Sequence, residues 1–202
     1  MNPQAQSLLS ELDSALSNVP RARHLAMLRQ LTDLFVAGSP SYSQQQLAVF
    51  EAVFQRLTAG VEPRALRELS GRLAGFDSAP SDVITRLSSD DDIAVAGPVL
   101  EKSNVLNDGV LVGIAKTKSQ GHLLAIAGRT RINDAVTDVL VERGNPQVKS
   151  KVTANLGALF SETGFARLVS EARQNKEFAA LVAKRTDVPA ELKPFLDMVL
   201  AG

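Results

Sequence analysis

The 202-residue sequence has no cysteine and no tryptophan, one tyrosine and two histidines. Without cysteine there is no disulfide, no thiolate metal site and no thiol nucleophile, which suits a reducing compartment. His24 and His122 stand 98 residues apart and no HxH or HxxxH spacing occurs, so the usual imidazole pairs for zinc are missing. No GxxxxGK[ST], GxGxxG or GxSxG motif is present, which removes the familiar phosphate loop, dinucleotide turn and serine elbow. Asp90, Asp91 and Asp92 lack the ladder of oxygens and the distant glutamate of a calcium loop. At the start of a helix, acids complement the macrodipole instead. The expectation is no metal, no cofactor and no catalytic residue.

Long apolar runs are also lacking. None approaches the roughly 20 residues that cross a bilayer, and the first ten residues lack a basic start with an apolar stretch. A cytoplasmic protein with no membrane association is expected. With Tyr42 alone and no tryptophan, few rings are offered to stack on nucleic-acid bases.

What the chain does have is 45% apolar residues, enough for a continuous core. Its formal charge is zero, yet residues 59 to 115 carry 9 acidic and 5 basic side chains, and residues 116 to 151 carry 3 acidic and 7 basic ones. Such segregation is either a set of solvated helix faces or a patch for an acidic partner.

Apolar residues recur at helical spacing along the whole chain, with punctuation between them. Leu8, Leu9, Leu12 and Leu16 form a first series, and Pro20 opens a second that ends at Gly38, Ser39 and Pro40. Ser43 and Gln46 have the spacing of a capping box, and Pro63, Pro80, the cluster Asp90 to Asp92 and Asn107 introduce further helices. Asn133, Asn145 with Pro146, Ser161, Asn175 and Pro189 do the same toward the end of the chain. Pro98 falls inside a helical pattern, after Gly97, and is expected to kink or break it. Val110 to Ile114 is compatible with a short strand but has no pairing partner, so the helix is preferred. Asn155 lies within KVTANLGALF, where it is not explained by helix propensity and is expected to bond to the turn of a neighbouring hairpin.

Helices joined by so few residues imply hairpins. Aligning Phe50, Val95, Val136 and Phe178 gives intervals of 45, 41 and 42 residues, near the period of HEAT and armadillo units and further from those of tetratricopeptide or ankyrin units. The fold expected is all-α, an α-α superhelix of HEAT-like hairpins with an N-terminal helical cap; a compact irregular helical bundle is the alternative. Residues 1–78 are read as N-terminal hairpins, for capping or dimerisation, and 79–202 as the repeat region. Val136, Leu140, Val152 and Leu156 are expected to be buried between hairpins.

The stretches DDDIAVAGPVLEKSNVLND, HLLAIAGRTRI, AVTDVLVERGNPQVKSKVTANLGALFS and LVAKRTDVPAELKPFL, spread over residues 87–202, resemble a bacterial domain-of-unknown-function family with HEAT-like repeats. The resemblance implies that fold and a bacterial cytoplasm, and brings no catalytic residue.

Lys116, Lys118, Arg129 and Arg131, with His122 between them, are the candidate binding residues, since arginine grips carboxylate or phosphate bidentately and lysine adds a point charge. Whether they converge depends on the turn near residues 117–121. Asn133, Asn145 and Asn155, with Pro98, are given structural roles. The functional expectation is a non-enzymatic helical scaffold for a protein or peptide partner, with self-association left open. The alternative is a HEAT-like protein binding or acting on nucleic acid through the basic stretch 116–151.

Overall fold

The structure, a computed structural model, describes residues 21–201; the first apolar series, Leu8 to Leu16, lies outside them. Twelve α-helices are present among the described residues: α1 (Arg21–Gly38), α2 (Gln44–Thr58), α3 (Pro63–Leu73), α4 (Ser81–Ser88), α5 (Ile93–Lys102), α6 (Asp108–Thr117), α7 (Gln120–Ala127), α8 (Asp134–Arg143), α9 (Pro146–Ala154), α10 (Glu162–Ala172), α11 (Lys176–Ala183) and α12 (Lys193–Ala201). No strand forms among them; a single parallel bridge joins Ile132 and Ala158. The segment Val110 to Ile114 is helical, within α6.

The helices start where side chains satisfy their orphan N–H groups. Ser43 and Gln46 form a complete capping box on α2, and Asp92, Asn107, Asn133, Asn145, Ser161 and Asn175 each accept from a backbone N–H of the helix they precede. Helix α4 begins after Pro80 with no cap of its own. There the Glu51 carboxylate of α2 accepts from the N–H groups of Asp82 and Val83 at 3.2 and 3.0 Å. Burial pushes the Glu51 carboxyl above its ordinary value against those bonds.

Helix α5 runs without interruption through Pro98, so the break expected there does not occur. Proline forfeits its own donor and its ring crowds the carbonyl four residues back, while Gly97, with no Cβ, removes the clash a preceding side chain would make with that ring.

The chain forms two compact units, one up to Val99 with Ser103–Leu106 and the other made of Leu100–Lys102 and residues from Asn107 onward. In the first, α1 packs on α3 and α2 on α4, while α1–α2 and α3–α4 form the hairpins. Phe35 is fully buried there, with Phe50, Phe54 and Phe76 at 5.2, 6.0 and 6.1 Å in edge-on contact. Such pairs add stability beyond their buried area.

In the second unit α6, α8, α10 and α12 pack in succession as one layer and α7, α9 and α11 as another, with hairpins α6–α7, α8–α9 and α10–α11 between the layers. This two-layer stacking of alternate helices is the α-α superhelical arrangement. Its core is aliphatic: Leu123, Ile126, Val136, Leu140, Val152 and Leu168 are all fully buried, each side chain contributing about 1.5 to 3 kcal/mol. Helices of one layer begin at Asp108, Asp134 and Glu162, intervals of 26 and 28 residues. The 41- to 45-residue spacing is therefore not the two-helix period. Phe50, Val95, Val136 and Phe178 fall on α2, α5, α8 and α11, three helices apart.

Leu156 is 83% exposed, contrary to the core role expected for it. Helix α9 stops at Ala154, Asn155 takes the C-terminal position, and Leu156 leaves the helix path.

Candidate functional site

The five candidate binding residues do not form one patch. Lys116 and Lys118 sit at the C-terminal end of α6, whereas Arg129 and Arg131 follow the C-terminus of α7, whose eight residues separate the two pairs by about 12 Å. His122 is buried on α7, its Nδ1 2.8 Å from the Ser119 hydroxyl. Arg129 is buried as well, and its Nη1 donates to the Leu100 carbonyl at 2.6 Å. Burial pushes the Arg129 guanidinium below its ordinary value, with Asp108 opposing the shift.

Most of the remaining basic stretch is also committed to structure. Arg143, at the end of α8, donates to the carbonyls of Ala115 and Lys118 at the end of α6. Lys149 pairs with Glu171 at 2.6 Å and Lys151 with Glu101 at 3.7 Å. The net positive charge of residues 116–151 thus overstates what is presented to a partner.

Arg129 is one rung of a ladder. At the end of α9, Asn155 Nδ2 donates to the carbonyls of Ala127 and Arg129 at 3.1 and 2.7 Å. Past the end of α11, buried Arg185 donates from Nη1 to Thr153 and Asn155 at 3.1 and 2.8 Å, and from Nη2 to Ala158 at 2.8 Å. Each hairpin of the second unit therefore places a donor on carbonyls at or just past the C-terminus of an earlier helix, α5, α7 or α9, where the helix dipole also favours the positive charge of the two arginines. Asp187 binds Arg185 Nη2 at 2.7 Å, and the guanidinium lies over the Phe160 ring at 4.7 Å. Asn133 and Asn145 hold more local positions, as caps of α8 and α9.

Sequence reasoning did not single out Arg185. A signal exists in the repeated pattern Ala-x-Arg-Thr-x-[Ile/Val], at Ala127 to Ile132 and again at Ala183 to Val188, 56 residues or two hairpins later. In both copies the arginine and the branched aliphatic residue are buried.

The ladder fixes the loop of residues 155–160. Asn155 Oδ1 accepts from Gly157 N–H at 2.9 Å, Ile132 N–H donates to Gly157 at 3.1 Å, and Leu159 N–H donates to Ile132 at 2.9 Å. Thr137 Oγ1 closes on the Leu159 carbonyl at 2.6 Å. A Cβ at residue 157 would strike the Thr130 carbonyl oxygen, so only glycine allows the two loops to approach this closely. From this bonded backbone Leu156 and Leu159 project, 83% and 61% exposed, on either side of fully buried Ala158. Two leucines held in water by a rigid loop gain nothing for the fold, and this edge is the site the geometry offers.

Among the described residues there is no cluster of side chains able to hold a metal, and no helix is long and apolar enough to cross a membrane. No curated protein and no solved structure matches the chain. A family model described as uncharacterised protein conserved in bacteria (DUF2336) matches residues 95–194, from α5 to the start of α12 and across the whole ladder. Over those residues the chain is similar to that bacterial family.

Proposed function

We propose that the second unit is a non-enzymatic binding module, working in a bacterial cytoplasm, whose loop edge holds a protein or peptide partner. The observation that carries this reading is the exposure of Leu156 and Leu159 on a backbone bonded at nearly every step. Preorganised apolar anchors bind without the cost of ordering a loop, and a few such anchors dominate protein interfaces. The stacked hairpins supply the rigid frame. Nucleic acid fits less well, because Arg129, Arg143, Lys149 and Lys151 already serve the fold.

The test is affinity capture of the tagged chain from its own cytoplasm, wild type beside the double variant Leu156→Asp/Leu159→Asp, with mass spectrometry of what is retained. Both leucines are exposed, so the variant should melt like the wild type while losing a specific protein. An identical set of retained proteins would contradict the assignment of this edge.

A further inference from the structure

Leu156 and Leu159 do not stand in neutral surroundings. Exposed Arg131 directly precedes Ile132, whose N–H and carbonyl pair with Gly157 and Leu159. Exposed Lys184 directly precedes Arg185, whose guanidinium holds Asn155 and Ala158. One exposed cation thus adjoins each of the two residues that bond to the leucine loop, and neither Arg131 nor Lys184 has an ion-pair partner among the described residues. The acids on the same segments are engaged or balanced. Asp187 is bound by Arg185, and Asp138 accepts from the Ser161 hydroxyl at 2.7 Å. Asp134 and Glu162 occupy the first turns of α8 and α10, where the helix dipole offsets their charge.

Building on the binding role given to this edge, we propose that its partner is an acidic segment of another protein carrying two large apolar side chains. The leucines meet the apolar side chains, and Arg131 and Lys184 meet carboxylates beside them. The division of labour follows from exposure. Solvated cations contribute little affinity but speed encounter and select against basic partners, whereas burying the leucines supplies the binding energy. Arginine adds a bidentate grip that lysine lacks.

The test is a selection from a random 16-residue peptide display library on the full chain, followed by titration of synthetic winners. Peptides of net negative charge with paired Leu, Ile, Phe or Met are expected. Leu156→Asp/Leu159→Asp should weaken their Kd by about 30-fold or more. Arg131→Glu/Lys184→Glu should weaken it about 3- to 10-fold at low salt, with a difference that shrinks as salt is added. Winners that need the leucines but are neutral or basic would overturn the acidic partner and leave the binding edge standing. Winners indifferent to the leucines would overturn both. Leucine-dependent binding to phosphatidylcholine/phosphatidylserine vesicles, with no peptide selected, would replace the protein partner by a membrane surface and so overturn the proposal.

Discussion

Arg185→Ala is the most informative perturbation of the fold, because one side chain serves three carbonyls, one carboxylate and an aromatic ring. Its guanidinium is buried and donates to Thr153, Asn155 and Ala158. Bonds from a charged donor contribute about 1.5 to 3 kcal/mol each, and removing one partner from a buried charged constellation costs about 3 to 5 kcal/mol in all. Asp187 is 43% exposed and recovers part of its hydration, so the lower half of that range is expected. With a urea slope of about 2 kcal/mol/M, the unfolding midpoint should fall by about 1.5 to 2 M. Arg185→Lys should recover less than half of this, since an ammonium cannot span the acceptors as a planar fork or stack on Phe160. The assay is urea unfolding followed by circular dichroism. A loss under about 1 kcal/mol for Arg185→Ala, the range of exposed ion pairs, would refute the ladder as a structural device.

Glycine substitutions should separate sharply. Gly157→Ala drives a methyl into the Thr130 carbonyl and should destabilise by more than about 2 kcal/mol, whereas Gly113→Ala, in open space on α6, should stabilise by about 0.5 to 1 kcal/mol. Leu140→Ala should cost about 2 to 5 kcal/mol and Leu156→Ala less than about 0.5, both read by the same urea unfolding. The Asp92 carboxyl is held below its ordinary range first by its bond from Arg67 and then by the Ala94 N–H. Its contribution is therefore present above that range and lost as pH falls through the depressed value, and Asp92→Asn, which keeps a cap on α5, should flatten the acid limb of the stability profile.

Helix starts were legible in the sequence because capping is local: Ser43 with Gln46, or Asn133 three residues before Val136, names its own partner. The buried face of each helix was legible for the same reason, through the 3.6-residue period. Leu156 was misplaced because an apolar residue four positions after Val152 fits a continuing helix. Asn155 and Gly157 around it were the stop signal, since both residue types end helices. The repeat period was misread because apolar helices resemble one another from either layer, so an alignment of apolar anchors slides across layers. The paired Ala-x-Arg-Thr patterns, which mark one structural position, carry the true spacing. Arg129 was counted as a binding cation because net charge takes every arginine to be solvated. Only the position of the Leu100 carbonyl, set by tertiary structure, shows otherwise.

The most direct test of the loop edge is site-specific photocrosslinking in living cells, with p-benzoylphenylalanine placed at 156 or 159 and, as a control, at exposed Gln147 on α9. The binding role predicts one discrete adduct shared by positions 156 and 159, absent at 147 and lost when the other leucine of the pair is replaced by aspartate. No adduct from either leucine position, or the same adducts at all three, would contradict it.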